Sequence, residues 1–530
     1  MRLIIPEQPR DLHQSQCEGD LVAATVPDEH VRQRRKMHIR PAMSAGMSRW
    51  ERRKRLSTLG WSGAENLFRQ VFSLGFFFVC VRFLQPTDLG IFALALACTA
   101  VPGVLIDEPI AEALVQQPDA TRAAWDTGFT VNLVLATALL LLLTACGPGL
   151  GSFFGKPGLA YALPALGFAS LLGALGNVQK AYLARQLRFR VIAQTTLASQ
   201  LVGGAAAVAL AMQGFGYWAL IASVAIAAGA SSAIYAVLSP WKPRLAMDRA
   251  VILAHLPYAG YSAGLRTVYL LRDQSPLIIA GLLLSLAEIG YLSLAIRVGR
   301  CLGQLFEEVT SRPLLSMMSR EQGSRERFGA VLTEVLAMIG LVAPPAYVGL
   351  AMLGPVAIPL MFGAAWASAG DLLPMLCVVL GGWLLLHIVA VSLRARAMGR
   401  IALRLCAPAA LLDVAIVSAT MPLGLRWALM AWAARAVLWL PLVLWVLQRH
   451  LDVDLKRLAR LWAAPCAASA AMGGLIGGLR HWVDPGLGGL VLTAAAAGCA
   501  YAAVLVALSI LSVGEAAFRR GAASLLGAER

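Results

Sequence analysis

Six arginine residues lie inside apolar segments of this 530-residue chain. A charge at the centre of a membrane helix costs roughly 2.5–3.5 kcal/mol on insertion scales, so each arginine needs a partner or a ligand. A guanidinium stays charged and presents a planar fork of N–H donors that fits carboxylates and phosphates. These residues therefore predict the binding of an anion within a membrane. They are Arg69, Arg266, Arg272, Arg297, Arg300 and Arg435.

Structural ion pairs are the alternative interpretation of the same arginines. Arg272 has Asp273 and Glu288 nearby in the sequence, and Arg300 has Glu307 within two helical turns. Residues three or four apart share a helix face, so local pairs of this kind form readily. Both interpretations remain open from the sequence: a cationic cavity that receives a ligand, and paired charges that only hold helices together.

Three carboxylates are candidates for coupling transport to a proton or another ion. Asp273 lies beside Arg272, whereas Asp413 and Glu334 have few local partners in the sequence. Ionisable residues within membrane segments commonly mark proton or ion pathways.

The elements that carry these residues are membrane-spanning helices. The mean hydropathy is +0.70 and 58% of the residues are hydrophobic, which excludes an ordinary soluble domain. Apolar segments near the roughly 20 residues that a helix needs to cross a bilayer recur along the chain, rich in Ala, Leu and Gly. We expect an all-α integral membrane protein with about 14 transmembrane helices. The predicted spans are 62–84, 88–108, 127–146, 158–178, 191–212, 216–238, 254–280, 288–311, 329–353, 368–393, 405–422, 427–447, 461–480 and 488–511.

The basic residues predict the orientation of these spans. Twelve of the 45 Lys and Arg residues lie in the first 56 residues, and most others fall in every second connection. The opposite connections hold only Arg82, Lys156, Arg426 and Arg480. Cytoplasmic loops are enriched in Lys and Arg. We therefore expect a multi-pass protein of a bacterial inner membrane with both termini in the cytoplasm.

Other chemistry finds little support in the sequence. The nine cysteines are scattered without a metal-ligand spacing, and phosphate-binding, dinucleotide and nucleophile-elbow motifs are lacking. We expect no enzyme, no catalytic residue, no metal and no cofactor. The net charge of +16 raises the possibility of nucleic acid as a partner, but its alternating placement indicates membrane orientation instead.

An internal repeat at a spacing of 200 residues predicts two lobes. Leu84, Asp88 and Gly90 correspond to Leu284, Glu288 and Gly290, and the two stretches belong to the predicted hairpins of spans one and two and of spans seven and eight. Parallel repeats of this kind form transporters that hold their substrate between the lobes. The expected arrangement is two six-helix pseudo-repeat lobes around a central cavity, followed by two C-terminal helices. The predicted division is a basic cytoplasmic tail at 1–56, an N-lobe at 57–240, a C-lobe at 241–450 and the last two spans with a short tail at 451–530.

Five short motifs resemble a known family in their order and spacing. They are FLQPTDLG at 83–90, LVQQPD at 114–119, ARQLRFR at 184–190, EIGYLSLAIR at 288–297 and RPLLSMMSR at 312–320. The family is that of bacterial polysaccharide flippases, the Wzx-like polysaccharide-transporter branch of the multidrug/oligosaccharidyl-lipid/polysaccharide exporter superfamily. The resemblance runs from about residue 57 to residue 450.

The resemblance implies a transporter that flips an undecaprenyl-diphosphate-linked oligosaccharide across the inner membrane for exopolysaccharide, capsule or O-antigen synthesis. The expected partners are this lipid-linked substrate, membrane lipids, and a polysaccharide polymerase with its chain-length regulator. One departure concerns span seven, where the family often has an aspartate and this chain has Ser275. The neighbouring Asp273 is the candidate substitute.

Three alternative functions remain. A multidrug–cation antiporter of the same superfamily would need an acidic cavity, whereas the charges within these spans are mostly arginines. A membrane polysaccharide polymerase or ligase would need a large periplasmic loop, and the longest predicted one covers only about 147–157. A scaffold that transports nothing is the third alternative.

Overall fold

The protein is described by a computed structural model that covers residues 72, 75–107, 112, 114–115, 120–320, 325–396, 398–479, 482 and 486–525. Within these ranges the side chains of 105–107, 254–266, 268–269, 271, 307–320 and 509–525 lie outside the description. The predicted tail at 1–56 and most of the first span lie outside it as well. No strand occurs among the described residues, as expected for an all-α protein.

Long helices account for nearly all of the described chain. Apolar side chains surround most of them, and a helix satisfies its own backbone N–H and C=O groups, which a lipid environment requires. A helical piece at 75–81 precedes them. The helices are α1 (Pro86–Asp107), α2 (Arg122–Phe153), α3 (Leu159–Arg185), α4 (Phe189–Met212), α5 (Tyr217–Leu238), α6 (Arg249–Leu283), α7 (Leu286–Arg320), α8 (Arg325–Phe362), α9 (Ala367–Ala395), α10 (Gly399–Thr420), α11 (Leu425–Leu451), α12 (Leu455–Leu479) and α13 (Leu487–Leu525).

Eleven helices within the described residues are long and apolar enough to cross a membrane. They are α1 to α5 and α8 to α13, and each coincides with a span expected from the sequence. The expectation of a multi-pass helical membrane protein is therefore confirmed, while the count of fourteen spans remains a prediction.

The helices pack in two groups. Helices α1 to α5 form the first group through the pairs α2–α3, α4–α5 and α3–α5. Helices α6 to α11 form the second group around α9. Most residues in the apolar part of α9 are buried. Helix α12 packs on α8, and α13 packs on α12. We call the two groups the N-lobe and the C-lobe. The division of the chain at residues 240 and 450 remains a prediction.

Small residues set the distance between neighbouring helices. The backbone of Gly176 on α3 lies against Ser232 on α5, where an added Cβ would be 2.6 Å from the serine Oγ. The Ser232 hydroxyl donates a hydrogen bond to the Leu172 carbonyl at 2.6 Å. Close approach at glycine, together with hydroxyl-to-carbonyl hydrogen bonds, is typical of helix packing in membranes, where the surrounding lipid is as apolar as the side chains.

The second helices of the two repeats, α1 and α7, cross each other at their N-terminal ends. An added Cβ at Gly90 would overlap the Leu286 carbonyl oxygen, and one at Gly290 would overlap the Pro86 carbonyl oxygen. Each contact therefore mirrors the other after a shift of 200 residues, as a two-fold repeat requires. We call this contact the α1–α7 crossing and the membrane face on which it lies the crossing face. The opposite face, where the basic connections lie, is the basic face.

A carboxylate near the start of each crossing helix accepts hydrogen bonds. Asp88 accepts hydrogen bonds from the backbone N–H groups of Gln85 at 3.1 Å and Tyr217 at 3.2 Å. Glu288 accepts from the backbone N–H and the hydroxyl of Ser285, at 2.9 and 2.7 Å. These bonds satisfy N–H groups at the starts of α1, α5 and α7, which explains why an acidic residue recurs at this position of the repeat.

Candidate functional site

Two of the predicted arginines converge on one aspartate. Asp273 Oδ1 on α6 accepts hydrogen bonds from Nε of Arg272 at 3.0 Å and from Nη2 of the same guanidinium at 2.9 Å. Asp273 Oδ2 lies 2.8 Å from Nη2 of Arg300 on α7. The three side chains retain 19%, 22% and 31% exposure for Arg272, Asp273 and Arg300. This charged cluster is therefore paired and also open to a ligand.

The cluster lines a cavity of about 390 Å³. Trp383 of α9 forms one wall, with the guanidinium carbons of Arg272 and Arg300 at 4.9 and 5.5 Å from its ring centroid. Arg394 and His387 line the cavity as well. All the residues that line it belong to α6 to α10, so we call it the C-lobe cavity. Three arginines and one carboxylate give this cavity the character of an anion-binding site.

Arg435 and Asp413 form an ion pair in the interior of the C-lobe. The Arg435 guanidinium on α11 contacts the Asp413 carboxylate on α10, and both residues are buried, at 6% and 2% exposure. The indole N–H of Trp432 donates to the same carboxylate at 2.7 Å. The sequence offers Asp413 few local partners, but the packing of α10 against α11 supplies two. This geometry favours the structural ion-pair interpretation for Arg435.

Arg297 lies apart from the charged cluster. Its guanidinium carbon stacks 3.9 Å from the ring centroid of Phe77, which belongs to the helical piece at 75–81. Arg297 lines a second cavity of about 340 Å³, whose other lining residues come from 76–80, α1, α4 and α5. We call it the N-lobe cavity. Helix α7 therefore directs Arg300 to one lobe and Arg297 to the other, although the sequence places them one turn apart.

The remaining predicted site residues fall outside these two cavities. Glu334 is exposed on α8, near the end of that helix at the basic face. Arg69 lies outside the described residues, and so does the side chain of Arg266, although its backbone belongs to α6. The structure thus brings Arg272, Asp273 and Arg300 together and places Arg297 and the Asp413–Arg435 pair separately.

Several residues that line the C-lobe cavity were not predicted from the sequence. Trp383 stands in a long apolar run of α9, with no polar neighbour to single it out. Arg394 counts among the basic residues at the membrane surface, yet it lies in the last turn of α9 and lines the cavity. His387, two turns earlier, could have indicated that Arg394 lines a cavity. A histidine seven residues before an arginine lies on the same helix face as that arginine.

The chain is similar to known proteins in sequence and in fold. Residues 79–371 match the model of the family described as "Polysaccharide biosynthesis protein". The chain belongs to this family. The resemblance inferred from the five motifs is therefore confirmed, and the chain is a multi-pass bacterial membrane protein.

Two curated relatives carry related descriptions. The chain is 27% identical over 328 residues to the succinoglycan biosynthesis transport protein ExoT of Rhizobium meliloti (strain 1021), covering 61% of this chain and 65% of that protein. It is 22% identical over 335 residues to the lipopolysaccharide biosynthesis protein WzxC of Escherichia coli (strain K12), covering 62% and 67%. The chain thus spans about two thirds of the length of these relatives.

Two solved structures share the fold. The lipid II flippase MurJ in an inward closed conformation matches with a TM-score of 0.68 at 12% identity, over 85% of this chain and 98% of that one. An inward-facing multidrug resistance transporter of the MATE family matches with a TM-score of 0.53 at 14% identity, over 74% and 95%. These similarities show that the chain shares the fold of both structures.

Proposed function

We propose that this protein flips an undecaprenyl-diphosphate-linked oligosaccharide from the cytoplasmic to the periplasmic leaflet of a bacterial inner membrane. Exopolysaccharide, capsule or O-antigen synthesis would use the translocated product. The observation that carries the proposal is the paired and partly open Arg272–Asp273–Arg300 cluster in the C-lobe cavity. The relatives ExoT and WzxC, named for polysaccharide transport and lipopolysaccharide biosynthesis, support the same substrate class.

A diphosphate suits this cluster because both arginines already point at an oxygen anion. The Asp273 carboxylate holds the two guanidiniums at hydrogen-bond distance from one point. A diphosphate oxygen presents the same acceptor geometry with more charge, and charge-assisted bonds to guanidinium are among the strongest hydrogen bonds in proteins. Asp273 thus compensates part of the charge of the two guanidiniums, and an arriving diphosphate competes for the same donors.

Transport explains the site better than the alternatives do. A cation antiporter would present carboxylates to its substrate, whereas the C-lobe cavity presents three arginines against Asp273. A polymerase or ligase would need an extramembrane domain, and the longest connection that the structure describes from end to end is the ten-residue stretch 239–248. We therefore propose a transporter and not an enzyme, which would deliver its product to a polymerase with its chain-length regulator.

The orientation and the coupling residue are part of the proposal. The basic face is assigned to the cytoplasm because Lys and Arg are enriched there. Asp273 is the preferred residue for ion coupling, since it is partly exposed within the cavity. Asp413 is already neutralised by Arg435, and Glu334 is exposed on the outside of α8.

Polymer export, normalised to membrane-inserted protein, tests the proposal in the producing strain. Arg272→Ala and Arg300→Ala should each reduce export about tenfold or more, because each removes a charge-assisted contact worth about 1.5–3 kcal/mol. Lysine at either position should restore part of the export, since the charge survives while the fork geometry is lost. The matched control is Arg426→Ala, which removes a 69%-exposed arginine paired with Asp371. Normal export from the Arg272→Ala/Arg300→Ala double variant would refute the proposal.

A further inference from the structure

The N-lobe cavity has a different character from the C-lobe cavity. Its walls are mainly aromatic, aliphatic and small residues, among them Phe76, Phe77 and Gly204. Gly204 is required there, because an added Cβ would come within 2.5 Å of the Phe76 ring. At about 340 Å³ the cavity is within the size range of small-molecule pockets, about 300–1,000 Å³.

Two polar side chains in this cavity have unused hydrogen-bonding capacity. The Gln200 Oε1 atom on α4 is buried and accepts no hydrogen bond from any described residue. The Arg297 guanidinium stacks on Phe77, and the described part of the chain supplies it with no carboxylate. A buried polar atom without a partner is unfavourable, so an occupant that bonds to both groups would be stabilised.

The pairing of one donor group with one acceptor selects the chemistry of the occupant. A phosphate offers acceptors only, so it could accept from Arg297 and from the Gln200 amide N–H groups but would leave the Gln200 Oε1 atom without a donor. A hydroxyl group donates to an amide oxygen and accepts from a guanidinium at the same time. Phe76 and Phe77 line the cavity and supply apolar surface of the kind against which a sugar ring packs.

We propose that the N-lobe cavity binds the sugar that is attached directly to the diphosphate, with Gln200 and Arg297 bonded to its hydroxyl groups. The inference rests on the proposed function, which places the diphosphate in the C-lobe cavity. Arg297 lies eleven residues from the start of α7 and Arg272 eleven residues before the end of α6. At 1.5 Å rise per residue, both lie about 16 Å from the crossing face.

Because Arg272 and Arg297 lie at this common depth, the proposal needs only one ligand, with one part in each cavity. Arg297 and Arg300 belong to the same turn of α7, with a rise of about 4.5 Å between them. A diphosphate and its first sugar are joined covalently and are neighbours at that length scale. The account therefore assigns charge recognition to the C-lobe and sugar recognition to the N-lobe.

Equilibrium binding of two lipids to the purified full-length protein in nanodiscs tests the inference. The probes are undecaprenyl diphosphate and undecaprenyl-diphosphate-glucose. The wild type should bind the glycosylated lipid at least about fivefold more tightly, which corresponds to about 1 kcal/mol for one net hydrogen bond. Gln200→Leu should abolish this preference and leave the affinity for undecaprenyl diphosphate within about twofold of the wild type.

A matched control is available in the same lobe. Gln179 on α3 is also buried with an unbonded Oε1 atom, but it does not line the N-lobe cavity. Gln179→Leu should keep the preference for the glycosylated lipid. Thermal unfolding confirms that each variant is folded, and Gln200→Met replaces Gln200→Leu if that variant is unstable.

The outcomes separate the inference from the proposed function. Equal affinity of the wild type for both lipids, or a preference that survives in a folded Gln200 variant, would overturn the sugar site while leaving the flippase proposal intact. Failure of the wild type to bind either lipid would refute the proposed function, and the sugar site with it. Loss of the preference in the Gln179→Leu control would also overturn the assignment to Gln200.

Discussion

The two lobes share a helical plan but differ in the polar groups that they bury. In the C-lobe the interior polar groups include the charged Arg272–Asp273–Arg300 cluster and the Asp413–Arg435 pair. In the membrane-deep part of the N-lobe the buried polar side chains are neutral. Among the described residues these are Thr99, Asn132, Gln179, Thr195, Ser199 and Ser232. The two lobes of a duplicated architecture thus bury two different sets of polar groups.

The neutral groups of the N-lobe hold its helices together. The Asn132 amide donates to the Ala174 carbonyl at 3.2 Å and so joins α2 to α3. The charges of the Arg272–Asp273–Arg300 cluster and of the Asp413–Arg435 pair lie on four helices, α6, α7, α10 and α11. Charges cost far more to bury than amides or hydroxyls do, so their concentration in one lobe needs a function or complete pairing. In the Asp413–Arg435 pair each charge has an opposite charge as its partner, and for the partly exposed cluster we propose a ligand.

The largest expected effect comes from breaking the buried pair. Asp413→Ala leaves the Arg435 guanidinium buried and unpaired, which should cost about 3–5 kcal/mol. We expect the level of folded, membrane-inserted protein to fall severely, as measured by fluorescence-detected size-exclusion chromatography. The double variant Asp413→Leu/Arg435→Met should recover most of the protein, because a hydrophobic replacement of both partners is often neutral. Normal abundance of the Asp413→Ala single variant would contradict a structural role for the pair.

A smaller effect is expected where the lobes are alike, at the α1–α7 crossing. Gly90→Ala forces a Cβ onto the Leu286 carbonyl oxygen, and overpacking of this kind costs about 1–3 kcal/mol. The crossing should loosen, and cross-linking between cysteines placed at Phe78 and Phe362 should slow. These rings lie 5.1 Å apart across the two lobes. Gly103→Ala on the same helix meets no atom within 4 Å and serves as the control. Equal cross-linking rates in all variants would contradict the contact.

The smallest effect concerns a charge that the N-lobe does bury, close to the basic face. Asp126, at the start of α2, accepts hydrogen bonds from the Trp241 indole at 3.2 Å and from the Arg244 backbone at 3.1 Å, both in the connection between the lobes. Asp126→Ala should release this connection, and trypsin should cleave the detergent-solubilised protein after Lys242 or Arg244 about tenfold faster, because two donors lose their acceptor.

The matched control for this experiment is Arg122→Ala. Arg122 pairs with the same carboxylate at 3.7 Å but is 59% exposed, so its removal should change the cleavage rate little. Unchanged cleavage in Asp126→Ala would show that the connection is held by other contacts, such as the aromatic cluster of Trp125, Tyr182 and Trp241.

The sequence predicts the helices and the repeat well, because both depend on local pattern. Apolar length predicts the eleven described helices that are long and apolar enough to cross a membrane, and the reciprocal contacts of Gly90 and Gly290 have the 200-residue spacing of the repeat. The pairing of Asp413 with Arg435 was not predictable, because its partners lie on two helices whose rotation is set by packing. Arg297 and Arg300 likewise line two different cavities because α7 lies between the lobes. The sequence of one helix does not reveal that the helix lies between two lobes.

Translocation in proteoliposomes tests the central claim most directly. A fluorescent undecaprenyl-diphosphate-linked sugar is reconstituted with the purified protein, and its exposure to a membrane-impermeant quencher reports its passage between leaflets. The account predicts rapid translocation by the wild type and by Arg426→Ala, and a loss of at least tenfold in the Arg272→Ala/Arg300→Ala double variant, given about 1.5–3 kcal/mol for each contact. Translocation by the double variant at the wild-type rate would contradict the claim that the C-lobe cavity binds the diphosphate.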